Sequence, residues 1–143
     1  MYPDFADFAE VDSEIDARYP YSKSGDILSP AKLWDDIRQM GQGACSNYAT
    51  AKLRMLVERG WPIEALRLAC VYVEPMVGVQ KNERYHGVLV ASHPERGEWM
   101  IDSRQPRPVP VTELEMLGYE PDRIQEFGGS LNWSEWKSNE EVK

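Results

Sequence analysis

The sequence predicts an α+β domain in which a helix begun by a cysteine packs on an antiparallel sheet. Three observations predict it. The glycine-rich turn Gly41-Gln42-Gly43-Ala44 runs into Cys45-Ser46-Asn47-Tyr48-Ala49, where Tyr48, Ala49, Leu53, Leu56 and Val57 recur near helical spacing and Cys45 joins the same stripe. Three apolar runs follow, Leu66–Val73, Tyr85–Ser92 and Glu98–Asp102, separated by segments rich in turn formers. Cys45, His86 and Asp102 then fall, in that order, at the start of the helix and at strand ends.

The remaining elements follow along the chain. Residues 1–28 carry Asp4, Asp7, Glu10, Asp12, Glu14 and Asp16 among aromatics and read as a short helix at most, followed by a loop. Ser29-Pro30 is a helix start, with Ser as N-cap and Pro in the first turn; Leu33, Trp34 and Ile37 continue it, and Gly41 ends it. The nucleophile helix runs to Arg59, where Gly60 and Pro62 stop it. Leu66–Val73 is a buried strand and Glu74–Arg84 a polar loop. Tyr85–Ser92 and Glu98–Asp102 form a hairpin about the turn at 93–97, which completes an antiparallel meander. The segment 105–110 holds three prolines in six residues and is extended, outside any helix or inner strand. Thr112 is placed to cap one helical turn, with Glu115 at its third position. The apolar stretch 124–127 and the pair Trp133/Trp136 are expected to cover a sheet edge. These readings divide the chain into an acidic segment at 1–28, one domain at 29–137 and a frayed tail at 138–143.

A chain of 143 residues suits one domain, and 42% hydrophobic with 28% charged residues is enough for a packed core. The net charge of −8 argues against nucleic acid, whose partners carry basic stripes. No apolar stretch approaches the roughly 20 residues needed to span a bilayer, so no membrane partner is expected. The acidic N-terminus lacks the apolar core of a signal peptide, and the expected location is the cytoplasm. The two cysteines, Cys45 and Cys70, read as two reduced thiols, with Cys70 a small buried residue within Leu66–Val73. No CxxC or HxxxH spacing marks a metal site.

A thiol at a helix start feels the positive end of the helix dipole and unpaired backbone N–H groups, both of which favour the nucleophilic thiolate. Taken alone, Cys45 could equally be structural. His86 opens the run Gly87-Val88-Leu89-Val90, where a neutral ring can accept a thiol proton; His93, in a turn with Pro94, Glu95 and Arg96, reads as a solvated loop tip. Asp102 closes Trp99-Met100-Ile101, and its alternative is to cap the turn at Ser103-Arg104. Folding 86 and 102 about a turn near 94 sets the two opposite each other, close enough for the carboxylate to hold the imidazole. The Cys45 backbone N–H is one oxyanion donor. Gln39 or Gln42 is a candidate second donor, and Trp34 a candidate wall of the cleft.

These residues resemble the bacterial transglutaminase-like cysteine proteinases, the LapG-like group within the papain-like and transglutaminase-like fold. The similarity runs from about Ser29 to Trp136. It rests on Gly43-Ala44-Cys45-Ser46-Asn47-Tyr48-Ala49-Thr50-Ala51-Lys52, Gly60-Trp61-Pro62, His86-Gly87-Val88-Leu89-Val90, Ile101-Asp102-Ser103-Arg104, Tyr119, Pro121 and Asn132-Trp133. It implies Cys45 as nucleophile, His86 as base and Asp102 as the group orienting His86, acting on a protein or peptide substrate. The family carries acidic residues around the nucleophile, some of which hold calcium in the adhesin-clipping members. Ala44, Ser46 and Asn47 stand there in this chain, so no cofactor, calcium included, is expected.

The leading expectation is a thiol-dependent acyl-transfer enzyme: a cysteine peptidase or amidase cleaving a peptide or isopeptide amide through a thioester, with transfer to an amine also open. A second reading is an inactive module of the same fold that recognises a protein partner. A third treats Cys45 as core and the two tryptophans as an interaction patch.

Overall fold

The computed structural model describes residues 3–18 and 45–136, the side chains of 45–47 excepted. The expected helix from Ser29, the loop before it and the tail beyond 137 lie outside the described residues. The acidic N-terminus forms a 12-residue helix, α1 (Asp7–Arg18), longer than its charge suggests. The reason is an apolar stripe hidden among the acids: Phe8, Val11 and Ile15 are one turn or two apart and fully buried.

Helix α2 (Cys45–Glu58) buries Tyr48, Ala49, Leu53 and Leu56 as the spacing requires. Val57 departs from the stripe and is 39% exposed. Gly60, at φ 103°, ends the helix in the left-handed region, with the Trp61 N–H donating to Leu56 O at 3.0 Å. The two helices are clasped at that end. Trp61 packs on Phe8 with ring centroids 4.6 Å apart and donates its indole N–H to Asp7 at 3.0 Å. Arg59 donates to both Asp7 and Glu10 at 2.8 Å.

Six strands follow: β1 (Leu66–Tyr72), β2 (Tyr85–His93), β3 (Gly97–Ile101), β4 (Val109–Pro110), β5 (Glu120–Gln125) and β6 (Trp133–Glu135). They form one antiparallel sheet in the order β4-β3-β2-β1-β5-β6. The meander β1-β2-β3 stands where the sequence places it. The proline-rich segment supplies only the two-residue edge strand β4, as a chain short of N–H donors must. The stretch expected to cover an edge instead extends the sheet: β5 pairs with β1, and β6 is the outermost strand. The turn after β4 also differs from expectation. A 3₁₀ turn at Val111–Glu113 leads into the short helix α3 (Leu114–Leu117), whose cap residue is Glu113 with no side-chain bond, so Thr112 does not cap it.

Strand alternation gives the sheet two apolar faces. Leu66, Leu68, Leu89, Ala91 and Ile101 pack against α1 and α2. Ala69, Val71, Val88, Val90 and Met100 pack against Leu114, Tyr119 and Ile124 on the other side. Cys70, 3% exposed, is the buried thiol the sequence predicts.

Candidate active site

Cys45 is the first residue of the 14-residue helix α2. One turn later, Tyr48 lines a cavity of about 520 Å³, which Asp16 of α1, Val73, Met76, Val79, Arg84, His86, Ser103 and Arg104 also line. The N-terminal turn of the helix, the start of β2 and the segment just after β3 therefore open onto one space.

His86 is 5% exposed and Asp102 1% exposed. Nε2 of His86 is in hydrogen-bonding contact with Oδ1 of Asp102. The route to that contact differs from the direct cross-strand pair read from the sequence. The register pairs Leu89 with Ile101 and His93 with Gly97, so Asp102 lies diagonal to His86. Diagonal neighbours on one sheet face are still within reach of a long side chain.

The Asp102 carboxylate has further donors. Its Oδ1 accepts the Arg104 backbone N–H at 3.0 Å, and its Oδ2 accepts the Tyr119 hydroxyl at 2.6 Å. Burial pushes the Asp102 carboxyl up, but the bonds from His86, Arg104 and Tyr119 outweigh it and hold it below the usual carboxylate range. Asp102 is thus ionised and can only accept, so Nε2 of His86 carries the hydrogen of that contact. Burial and the Asp102 charge raise the Tyr119 phenol, which stays a donor.

A second ionic cluster borders the cavity through Asp16. The Lys52 ammonium, fully buried, is 2.7 Å from Asp12 Oδ1 and 2.9 Å from Asp16 Oδ1, and joins α2 to α1. Burial pushes Asp12 up to about 6 even though Lys52 pulls it down. Burial likewise raises Asp16 against the same lysine.

Of the sequence candidates, the structure brings His86 and Asp102 into contact and places Cys45 at the head of α2. Trp34, Gln39 and Gln42 lie outside the described residues. Tyr119 was not a site candidate, since it sits 17 residues beyond Asp102, past the prolines, and no periodicity links the two. The available signals are its place after Gly118, a residue suited to a sharp helix end, and its presence among the residues that carry the family resemblance, neither of which assigns it to the site.

No curated protein matches the chain. Solved structures do. The EGTA-treated form of Legionella pneumophila LapG superimposes with a TM-score of 0.67 at 21% identity, covering 95% of this chain and 69% of that one. A second structure of Legionella pneumophila LapG gives 0.67 at 19%, covering 95% and 71%. The calcium-bound form gives 0.64 at 18%, covering 96% and 74%. These likenesses establish the fold, the α+β transglutaminase-like arrangement that the sequence predicts.

They also correct one expectation. No cofactor was anticipated, because carboxylates are missing beside Cys45; the calcium-bound and EGTA-treated forms of LapG make calcium relevant to this family. Among the described residues no group of three or more His, Cys, Asp or Glu side chains is placed to hold a metal ion. The buried carboxylates of Asp12 and Asp16 already face Lys52. No described residue is therefore assigned to calcium.

The family described as bacterial transglutaminase-like cysteine proteinase matches residues 3–140, nearly the whole length, and the chain belongs to that family.

Proposed function

We propose that this protein is a cysteine peptidase that cleaves a peptide or isopeptide amide through Cys45, His86 and Asp102. The observation that carries the reading is the buried contact between His86 Nε2 and Asp102 Oδ1, at a cavity that the first turn of the Cys45 helix also lines. Membership of a cysteine-proteinase family supports it and makes a protein the expected substrate.

In this mechanism Nδ1 of His86 takes the proton of the Cys45 thiol, and the helix start favours the resulting thiolate. The thiolate sulfur forms a bond to the carbonyl carbon, and the carbonyl oxygen takes up negative charge. The Cys45 backbone N–H is one donor to that oxygen, and Gln39 or Gln42 the proposed second. Collapse breaks the C–N bond, and His86 returns the proton to the leaving amine. Water, deprotonated by His86, then hydrolyses the thioester and frees the sulfur. Asp102 remains ionised throughout and stabilises the imidazolium. An amine in place of water would give transfer rather than hydrolysis. Hydrolysis is the reading we favour, following the family.

Iodoacetamide alkylation of Cys45 as a function of pH tests the proposal. Cys70 is buried, so labelling reports Cys45. The expected thiolate titrates below the ordinary value of about 8.5, and His86→Ala moves it back toward that value. A Cys45 titrating like a free thiol in both proteins would overturn the reading in favour of a binding module. Turnover of an unstructured protein substrate, measured with calcium and after EGTA, should vanish in Cys45→Ala.

A further inference from the structure

We infer that Tyr119 is a positioning residue for this reaction, holding the carboxylate of Asp102 in the orientation that fixes the His86 ring; the inference rests on the triad proposed above. Its hydroxyl donates to Asp102 Oδ2 at 2.6 Å while the other carboxylate oxygen faces His86. With the Arg104 backbone N–H on Oδ1, the carboxylate is held at both oxygens and cannot rotate about its own axis without breaking a bond.

The phenol is itself fixed. Tyr119 is 4% exposed and belongs to the apolar cluster on the side of the sheet away from α1 and α2. Its oxygen accepts from Arg104 Nη1 at 2.9 Å and from Gln105 Nε2 at 3.1 Å. Those two donors occupy the oxygen's lone pairs, so its single hydrogen is directed to Asp102. Arg104 is held in turn by a paired contact with Glu74, at 2.6 and 3.0 Å. The backbone reinforces this arrangement. Gly118, at φ 81°, ends α3 in the left-handed region, and the Tyr119 N–H donates back to Leu114 O at 3.0 Å. The helix end thereby sets where the ring enters the core. Tyr119 touches neither sulfur nor substrate in this scheme and acts only through Asp102.

Tyr119→Phe in the full chain tests the inference, because it keeps the ring and removes only the hydroxyl. The expected result is a fall in kcat of about 10-fold with KM within about twofold, as for loss of a hydrogen bond to a charged group. The acid limb of the kcat/KM profile should rise by roughly one pH unit, since an Asp102 carboxylate without that donor holds the protonated form of the His86 base more strongly. A substitution that merely loosened packing would lower the melting temperature without moving that limb. Site-specific 3-fluorotyrosine at 119, a stronger donor of nearly the same shape, should move the limb the opposite way, and it keeps the question answerable if the phenylalanine variant does not fold.

A readout independent of turnover comes from the imidazole N–H proton. The chain has two histidines, so the His86 signal can be identified by NMR in a His93→Gln background. Tyr119→Phe should shift it and speed its exchange with water, also when Cys45 is alanine. If the signal, the acid limb and kcat all stay unchanged in a folded Tyr119→Phe protein, the inference is overturned while the triad stands. If the signal moves but wild-type Cys45 titrates like a free thiol, it is the triad that fails.

Discussion

Oδ1 of Asp102 meets two donors at once, Nε2 of His86 and the backbone N–H of Arg104, while Oδ2 takes the hydroxyl of Tyr119. All three groups require an acceptor, and a carboxylate supplies two accepting oxygens. An asparagine has one acceptor and one NH₂, so Asp102→Asn must leave a buried donor facing a donor. The expected result is a loss of kcat of about 10²–10⁴-fold, the range assigned to a positioned acid–base group, with a stability cost of about 1–3 kcal/mol. Steady-state kinetics and urea unfolding check the two parts separately. Wild-type kcat in the asparagine variant would remove Asp102 from the mechanism.

Two buried carboxylates respond to pH in opposite senses. Asp102 lies below its ordinary value in the folded protein, so its contribution to stability is present above about 4 and is lost as pH falls through the lower folded value. Asp12 lies above its ordinary value, at about 6. The folded state therefore binds its proton more tightly than the unfolded chain does. That contribution is complete below about 4 and is lost as pH rises through about 6. Unfolding free energies of wild type and Asp12→Asn, measured between pH 4 and pH 7, should diverge as pH rises. Wild type loses ground by roughly 1.4 kcal/mol per unit of pKa difference. Parallel curves would show that Asp12 is not the group that titrates.

The sheet and the principal helix were legible because their signals are local. Leu66–Val73, Tyr85–Ser92 and Glu98–Asp102 are apolar runs bounded by turn residues, and β1, β2 and β3 begin or end within a residue of them. His86 and Asp102 could be paired because a hairpin is nearly symmetric about its turn. The diagonal offset was not readable, since it depends on where the turn closes, and His93 itself joins the last pair of the hairpin. Other features depend on partners distant in sequence. The length of α1 follows from three apolar residues meeting α2 and the sheet, and Lys52 is buried only because two aspartates 36 and 40 positions earlier meet it. The pattern does not foretell strands β5 and β6, because Glu120-Pro121-Asp122-Arg123 lacks the apolar alternation of a strand. Their place is set by β1, whose edge they pair.

Gly118 offers a test of how the Tyr119 ring is placed. Its φ of 81° disfavours any side chain, and an added Cβ would lie 3.0 Å from Glu74 Cβ. Gly118→Ala should cost about 1–2 kcal/mol from the left-handed backbone, and the crowding falls on the residue that holds Arg104. The accompanying expectation is a fall in kcat with little change in KM. A variant with wild-type stability in urea unfolding would show that the turn relaxes without strain.

Lys52 neutralises two carboxylates in the interior between α1 and α2. Its ammonium is fully buried, 2.7 Å from Asp12 and 2.9 Å from Asp16, and one oxygen of Asp12 is already buried without a hydrogen bond among the described residues. Lys52→Met fills the space of the lysine stem but removes the counter-charge that Asp12, 1% exposed, has among the described residues. Breaking a buried pair by deleting one partner typically costs about 3–5 kcal/mol, because the remaining charge has neither water nor a partner. Adding Asp12→Leu to Lys52→Met removes that orphaned charge and should restore much of the loss. Asp16, with a side chain 30% exposed, can turn to water in either variant. The measurement is urea unfolding of both variants at pH 7. A single Lys52→Met substitution costing under about 1 kcal/mol would place the interaction among weak surface pairs and leave α1 held to α2 by the apolar contacts of Phe8, Val11 and Ile15 together with the Arg59 clasp.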